Sequence, residues 1–241
     1  MANPQAQIAA QLQNTKSLSA SPTWLTSFVS ASTALQRNIP LSAMTQTALF
    51  RILASDFRDS LTTTNPSTLL PVDIFDPTVQ ERRLQGPIPV QVLDIEDIGT
   101  SLWSQVEAIE RVERGEAIRG REIVRTVNVG EENEGGGPAT NAGANEPGNS
   151  HSPHRLILQD AGGTRAVAIE LKSVNGVSLN KLPIGAKMVL RNATVARGMI
   201  LLTPECVTLL GGKIEAMDQA WKAGRKAKLL ARITEVQNGQ T

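Results

Sequence analysis

The sequence predicts an α+β protein: an N-terminal three-helix bundle, then a five-stranded β-barrel with a long insertion between its first and second strands, and a C-terminal helix. Three observations lead to this prediction. The first quarter of the chain repeats apolar residues at helical spacing, and from Gly86 the pattern changes to short alternating segments. Between two of those segments lies a stretch, residues 130–150, that contains no Val, Ile, Leu, Met, Phe or Trp.

Three helices are predicted in the N-terminal part. Ile8 and Leu12 mark a weak first helix. The second begins at Ser21 and Pro22, a capping residue followed by a proline at the first helical position. The third runs near residues 42–60 and carries one apolar stripe made of Leu49, Ile52, Leu53 and Phe57.

The segment Pro87–Asp97 alternates as a half-buried strand does, with one face made of Ile88, Val90, Val92 or Leu93, and Ile95. From Thr100 to about Arg119 the pattern is helical again. This helix carries an apolar stripe and the (i, i+4) pairs Glu107/Arg111 and Glu110/Arg114.

Two hairpins are predicted beyond the polar stretch. Residues 154–160 and 165–171 are short strands joined by a turn with paired glycines, which supply the positive φ that a tight turn needs. Residues 185–196 and 199–202 form the second hairpin, around Arg197-Gly198. A final amphipathic helix carries Ile214, Met217, Trp221, Leu229 or Leu230, and Ile233.

Five short antiparallel strands in this arrangement are typical of an OB-type barrel. The strand at 87–97 needs partners in the same sheet, which favours an insertion over a linker between two domains. The connecting segment has apolar residues to bury, namely Leu69, Leu70, Val72, Ile74 and Phe75. The predicted domains are a bundle over 1–62, a connecting segment packed on the barrel over 63–86, and an OB-fold domain over 87–241 with a disordered insertion at about 120–153.

Charge is unevenly distributed along the chain. Residues 87–154 carry five Lys/Arg against twelve Asp/Glu, and residues 155–241 carry thirteen against six. This asymmetry suggests contact with a charged partner, and solvated faces are the simpler interpretation. The lone Cys206, the lack of a secretory leader and the lack of a long apolar run predict an intracellular, soluble protein.

The sequence contains no recognisable catalytic chemistry. There is no phosphate-binding loop and no dinucleotide fingerprint. A single cysteine excludes a thiolate zinc cluster, and we interpret His151 and His154 as exposed loop residues rather than metal ligands. We therefore predict a protein that is not an enzyme, with no catalytic residue, metal or cofactor.

OB barrels that bind single-stranded nucleic acid stack bases on aromatic side chains. Between His154 and Leu210 this chain has no Phe, Tyr or Trp, whereas it has several Lys and Arg. Weak, salt-sensitive attraction to a phosphate backbone remains possible. We interpret the barrel as a protein-docking scaffold, with an autonomous single-stranded DNA-binding protein as the alternative.

Several motifs resemble the Rmi family, the RecQ-mediated genome instability protein 1 proteins. In the N-terminal part they are Pro22-Thr-Trp-Leu, LASDFRDSL at 53–61 and Leu69-Leu70-Pro71. Residues 182–217 resemble the family's run of Leu-Pro-x-Gly, a strand, a Gly hairpin, Leu-Leu-x-Pro-Glu, and Leu-Gly-Gly before a helix. The residues that carry this second resemblance are Leu182, Pro183, Gly185, Gly198, Leu201, Leu202, Pro204, Glu205, Val207, Leu210, Gly211 and Gly212.

The resemblance implies a non-catalytic, nuclear subunit that assembles with a type IA topoisomerase III and a Bloom-type RecQ helicase. Such complexes dissolve double Holliday junctions, and the family's inserted barrel loop reaches into the topoisomerase gate. Larger members have a second OB barrel, which we expect this chain, ending at residue 241, to lack.

Partner-binding residues are predicted beside and within the insertion. The segment REIVRTVNV offers Ile123, Val124, Val127 and Val129 as a contact, although these aliphatics could instead continue the core. At the edge of the barrel, the candidates are His154, Arg155 and Arg165.

Overall fold

The computed structural model describes residues 3–35, 40–115 and 152–238. The chain forms two compact units: Met1–Gly99 with Ser152–Gly224, and Thr100–His151 with Arg225–Thr241. The helices are α1 (Pro4–Lys16), α2 (Pro22–Leu35), α3 (Leu41–Ala54), α4 (Phe57–Ser60), α5 (Leu102–Glu113) and α6 (Glu215–Asn238), with a short 3-10 helix at Pro66–Thr68. The strands are β1 (Glu81–Leu84), β2 (Ile88–Asp97), β3 (His154–Asp160), β4 (Arg165–Glu170), β5 (Lys187–Leu190), β6 (Ala193–Ala196), β7 (Met199–Leu202) and β8 (Val207–Gly211).

The α+β class, the N-terminal helices and the C-terminal helix are confirmed, but the third predicted helix is two helices. α3 ends at Ala54, and the Asp56 side chain accepts a hydrogen bond from the Arg58 amide to cap α4. A capping side chain at that point starts a new helix instead of continuing the old one. The bundle core is formed by a set of buried apolar residues that includes Ile8, Leu12, Leu25, Phe28, Ala48, Ile52 and Phe57.

The sheet has eight strands in the described residues, in the order β1-β6-β7-β4-β3-β2-β5-β8, so the prediction of five strands is wrong. The predicted strand over 185–196 is interrupted at Asn192, which has φ 50° and separates β5 from β6. The other two additions are β1, which pairs with β6, and β8, which pairs with β5. Their polar or short sequences become strands because a partner strand supplies the hydrogen bonds.

The interrupted strand closes the barrel. β5 pairs with β2, while β6 pairs with β7, and β7 runs parallel to β4. In the series β2-β3-β4-β7, β5 therefore lies beside one end and β6 beside the other. Only Arg191 and Asn192 separate β5 from β6, so the chain links the two ends. The result is a ring of strands around a buried core that includes Val90, Val92, Leu156, Ala168, Met188 and Ile200.

A β-bulge in β2 determines that Val92, and not Leu93, faces the core. The register with β3 shifts between Val92 and Asp94. Val92 is fully buried and Leu93 is half-buried, and after the bulge Ile95 is again buried. The extra residue in the bulge restores the inward alternation of the strand.

Part of the connecting segment, residues 63–86, packs into the barrel core. Leu70 and Ile74 are buried there, and the Leu70 amide donates to Asp160 Oδ2 at 2.8 Å. Val72 and Phe75 are 90% and 51% exposed, so the expectation that they are buried is wrong. Within residues 72–75, Ile74 is buried and its three neighbours are exposed.

In the second unit, Val106 of α5 packs against Leu229 and Ile233 of α6. Leu229, and not the more exposed Leu230, therefore continues the apolar stripe predicted for the last helix. α5 ends at Glu113, earlier than the predicted Arg119, which lies outside the described residues. None of the described helices is both long and apolar enough to cross a membrane.

Candidate partner-docking site at the root of the insertion

The insertion leaves the barrel between two paired strands, β2 and β3. Its described root is held by short hydrogen bonds. The Ser152 hydroxyl donates to Asp97 Oδ2 at 3.0 Å, and the Gly99 amide donates to Asp97 Oδ1 at 2.8 Å. The Ile98 amide donates to the Pro153 carbonyl at 3.0 Å. The two ends of the insertion are thus fixed side by side.

His154 is buried beside this root, so the expectation of an exposed loop residue is wrong. The residue is 6% exposed, and its Nδ1 lies 2.6 Å from Glu170 Oε2, which also accepts from the His154 amide. The other oxygen of Glu170 accepts from the Val174 amide at 2.9 Å. The buried Glu170 carboxyl group, with two backbone amides and the His154 ring as partners, ties the start of β3 to the segment after β4, which is a structural role.

The two predicted arginines lie at opposite ends of the β3–β4 pair. Arg155, opposite Ile169, is half-buried and forms an ion pair with Glu96 at 3.1 Å. Arg165 is exposed at the start of β4, opposite Gln159. The structure therefore does not bring the three barrel candidates together into one site. The insertion candidates Ile123, Val124, Val127 and Val129 lie outside the described residues.

The Leu-Pro-x-Gly motif joins β2 to the start of α6. Gly185 has φ +82°, and its amide donates to the Val92 carbonyl at 2.7 Å. A Cβ on Gly185 would collide with the backbone and side chain of Ile214, so a glycine is required there. Leu182 is buried in the barrel core and Pro183 is half-buried. These motif residues serve packing.

The remaining motif residues form turns. Gly198 lies in the turn between β6 and β7, and Gly211 ends β8. Gly212 has φ +85° and lies against the Leu53 carbonyl of α3, where the barrel backbone approaches the bundle closely. Pro204 and Glu205 are exposed in the turn before β8.

A row of polar side chains on the outward surface of the barrel meets the bundle. Gln91 of β2 stands between Gln159 of β3 and Lys187 of β5 in the strand registers, and all three are buried. Gln91 Oε1 accepts from the Phe57 amide at 3.0 Å and from Lys187 Nζ at 2.8 Å. Its amide nitrogen donates to Asp56 Oδ1 at 2.8 Å and to Gln159 Oε1 at 3.2 Å.

Two ionisable groups at this polar row, Lys187 in it and Asp56 beside it, have strongly shifted pKa values. Burial lowers the pKa of Lys187 from 10.5 to about 7, although the nearby Asp56 acts in the opposite direction. For Asp56 burial acts to raise the pKa, but hydrogen bonds from Arg58 and Gln91 outweigh it and lower the value to about 2. The Lys187 ammonium also lies 4.6 Å from the centroid of the Phe57 ring.

The sequence pattern did not single out this polar row. Gln91 interrupts an alternating apolar strand and Lys187 begins one, and both are ordinary choices for an outward position. They are covered by the start of α4, at Asp56 and Phe57, which precedes Gln91 by more than thirty residues along the chain. The sequence signal that this interpretation missed is an isolated polar residue, Gln91, in an apolar strand.

No group of three or more His, Cys, Asp or Glu side chains in residues 3–35, 40–115 and 152–238 is arranged to hold a metal ion. The described part of the candidate site is a surface, formed by the root at Asp97, Ser152 and Pro153 and the barrel strands beside it. A helical bundle packed on a β-barrel that carries a long insertion between its neighbouring strands β2 and β3 defines a class of helical-bundle and OB-fold proteins. Two family models match the chain in this order: the RMI1 N-terminal helical domain over residues 12–60 and the RMI1 N-terminal OB-fold domain over residues 70–225.

The OB-fold match covers more than half of the sequence, so the chain belongs to the RMI1 family. This confirms the resemblance and the OB-type barrel. The chain is 28% identical over 176 residues to RecQ-mediated genome instability protein 1 of Schizosaccharomyces pombe (strain 972 / ATCC 24843), covering 70% of this chain and 71% of that protein. It is 27% identical over 172 residues to the Xenopus laevis protein of the same name, covering 70% of this chain and 27% of the frog protein.

Proposed function

We propose that this protein is a non-catalytic structural and regulatory subunit of a nuclear complex of a type IA topoisomerase III and a RecQ-type helicase. In that role it helps to dissolve double Holliday junctions and maintains genome stability. It acts by stimulating decatenation by the topoisomerase through the barrel insertion. Membership of the RMI1 family supports the proposal, since its relatives are named for RecQ-mediated genome instability.

The observation that carries the proposal is the placement of the insertion. β2 and β3 are direct neighbours in the sheet, yet residues 98–153 lie between them in the chain. Hydrogen bonds at Asp97 and Pro153 fix where both ends of this segment leave the barrel. A segment anchored at both ends on a rigid barrel suits an element that reaches into a partner while its base stays in place.

The surface of the barrel supports a docking role over base stacking. Residues 154–210 contain no Phe, Tyr or Trp, and stacking contributes about 1–3 kcal/mol per base in proteins that bind single strands. The basic residues of the barrel still allow weak phosphate contact. We therefore expect weak binding to single-stranded DNA with a steep dependence on salt.

The first experiment measures both partners with the whole chain. Co-purification with topoisomerase III and the RecQ helicase is the expected result. Fluorescence anisotropy with a labelled oligonucleotide is then recorded at about 50 and 150 mM salt, where we expect a large loss of affinity between the two. Nanomolar DNA binding at the higher salt, without topoisomerase binding, would favour the autonomous DNA-binding alternative.

The second experiment separates two ways in which the insertion could act. Replacing Ile123, Val124 and Val127 together by Ser removes apolar contacts at unchanged length, whereas deleting 135–148 shortens the segment and leaves those residues intact. We expect the Ser variant to stimulate decatenation less than the deletion does. Shortening a loop by this length changes the loop-closure free energy by well under about 1 kcal/mol, so melting curves should agree for the deletion and the wild type. Full stimulation by the Ser variant and none by the deletion would show that length is the working feature.

A further inference from the structure

The part of the helical bundle around α2 and α3 differs in charge from the rest of the chain. Residues 1–55 contain three Lys/Arg and no Asp or Glu, although the whole chain carries 24 Lys/Arg and 23 Asp/Glu. The first acidic side chain is Asp56, which forms an ion pair with Arg58 at 2.7 Å. An anionic ligand on α2 and α3 therefore meets little electrostatic repulsion.

Phe50 is an exposed aromatic residue on the outer side of α3. It is 74% exposed, more than any other aromatic residue that the structure describes. Its neighbours on that side of the helix, Ala43, Gln46, Thr47 and Ala54, are small or polar and are also exposed. The exposed apolar area is thus a single ring and not a contiguous patch.

Arg51, the next residue of α3, and Trp24 of α2 both contact the ring of Phe28. The Trp24 and Phe28 rings stack, with centroids 5.4 Å apart and planes 2° from parallel. The Arg51 guanidinium lies over the same Phe28 ring, 5.4 Å from its centroid. Phe28 is buried, Trp24 is half-buried and Arg51 is exposed, so the buried ring orients two accessible side chains.

This combination suits a chain of planar groups joined by phosphates. Stacking on an aromatic side chain requires one accessible ring face, and Phe50 and the exposed part of Trp24 supply such faces. Arg51 supplies a cation for phosphate, and within the described residues no carboxylate pairs with it. A protein partner normally contacts a contiguous apolar patch, which the outer side of α3 does not offer.

We infer that the surface formed by Trp24, Phe50 and Arg51 is a binding site for single-stranded nucleic acid. Bases stack on Phe50 and Trp24, and Arg51 contacts the phosphate backbone. We call this set the α2–α3 aromatic surface. The inference goes beyond the proposed function and does not depend on binding to the topoisomerase.

The α2–α3 aromatic surface predicts modest affinity. Stacking on an aromatic side chain raises affinity by about 5- to 150-fold per base, and this surface offers two rings. One phosphate contact adds about 0.7 to the slope of log affinity against log salt for a single strand. The bundle thus adds base stacking to the phosphate attraction of the basic residues in the barrel.

The test measures binding of the whole chain to a labelled dT strand of about 16 nucleotides by fluorescence anisotropy, at about 50 mM salt. Phe50→Leu keeps an apolar side chain but removes the ring, so we expect affinity to fall about fivefold or more. Phe50→Trp should bind at least as tightly as the wild type. The matched control is Phe75→Leu, at a residue of the connecting segment that is 51% exposed, and it should bind as the wild type does. All three variants change exposed residues and should melt as the wild type does.

Arg51→Gln tests the phosphate contact separately. It removes one cation, so we expect the salt slope to fall by about 0.7, and Arg51→Lys should restore it. A duplex of the same length keeps its base faces inside the stack, so Phe50→Leu should leave duplex binding unchanged. An rU strand of the same length assigns the site to RNA if it binds more tightly than dT, and to DNA if it binds less tightly.

Three results would overturn the inference: a Phe50→Leu variant that binds the dT strand as tightly as the wild type, an equal loss in Phe75→Leu, or a wild-type chain that does not bind the strand. A Phe50→Leu variant that loses binding to purified topoisomerase III but keeps its DNA affinity would assign the surface to a protein partner and also overturn it. Binding of the wild-type chain to topoisomerase III is measured in the same series, so failure of the proposed function is recognised independently.

Discussion

Replacing Lys187 by Met tests the most unusual contact in the structure, a fully buried lysine between barrel and bundle. Its ammonium donates to Gln91 Oε1 at 2.8 Å and faces the ring of Phe57 at 4.6 Å. Met has a similar length, no charge, and a sulfur that packs well against an aromatic ring. Gln91 Oε1 keeps the Phe57 amide as a donor after the change, so no buried acceptor is left without a partner.

The magnitude follows from the lowered pKa. Burial lowers the pKa of Lys187 to about 7, whereas the unfolded chain has the ordinary 10.5. Between these values the unfolded state binds more protons than the folded state, so the free energy of unfolding rises with pH. The slope for one such group is about 1.4 kcal/mol per pH unit. From about pH 7 to pH 9 the gain is about 2 kcal/mol, because the folded lysine is still half charged at the start.

The assay is urea unfolding of the wild type and Lys187→Met at these two pH values. We expect the wild type to gain about 2 kcal/mol relative to the variant on going from pH 7 to pH 9. The variant should be at least as stable as the wild type at pH 7, since replacing a buried charge by an apolar side chain is often neutral or stabilising. Lys181→Met, at an exposed position, is the control and should follow the wild type.

Parallel pH profiles for the wild type and Lys187→Met would refute the reasoning. Such a result would mean that Lys187 keeps its proton in the folded state over this range. A large loss of stability in the Met variant at pH 7 would instead show that the charge is a net stabilising partner of Gln91 and Phe57.

Two further predictions concern the packing of the barrel. Gly212→Ala should destabilise the fold by about 2 kcal/mol or more in urea unfolding, because the left-handed φ of +85° is strained for Ala and the new Cβ would meet the Leu53 carbonyl. The control Gly224→Ala, on a helix with nothing within 4 Å of the added Cβ, should instead stabilise by about 0.5–1 kcal/mol, and equal effects of the two changes would contradict this. Asp218→Asn should cost about 1–2 kcal/mol near neutral pH, because Asp218 accepts from the Ile184 amide at the first turn of α6. Although burial opposes it, hydrogen bonding lowers the pKa of Asp218, so its contribution is lost as pH falls below the ordinary value of 3.8, and the Asn variant should show a shallower loss on acid titration.

Local patterns were sufficient for features whose cause is local. The glycine turn between β3 and β4 has φ +88° at Gly163, and the turn between β6 and β7 has φ +80° at Gly198. Both hairpins and the insertion between paired strands followed from such signals. The helix break at Asp56 had a local signal as well, a capping residue, but it was hidden inside a continuous apolar stripe.

Features whose cause lies far along the chain were missed. β1 has the polar sequence ERRL and is a strand because β6 lies beside it. Asn192 bends the predicted long strand because its two halves pair with different neighbours, β2 and β7. His154 was interpreted as a loop residue because nothing near it in the sequence shows that Glu170 closes over it. The polar row shares this limit, since the cross-strand registers of Gln91 with Gln159 and Lys187, and not spacing along one strand, assemble it.

The outward surface of the barrel carries two chemically different sets of side chains. The polar row of Gln91, Gln159 and Lys187 is buried under the bundle, and burying polar groups is favourable only if every donor and acceptor finds a partner. Asp56 and the Phe57 amide supply those partners, so removing the bundle would leave several of them unsatisfied. The outward aliphatic side chains Ile157 of β3 and Val167 of β4 have no such requirement, because exposing them to water costs only hydrophobic burial. The polar row therefore fits only the groups that Asp56 and Phe57 supply, which suits a permanent joint between bundle and barrel.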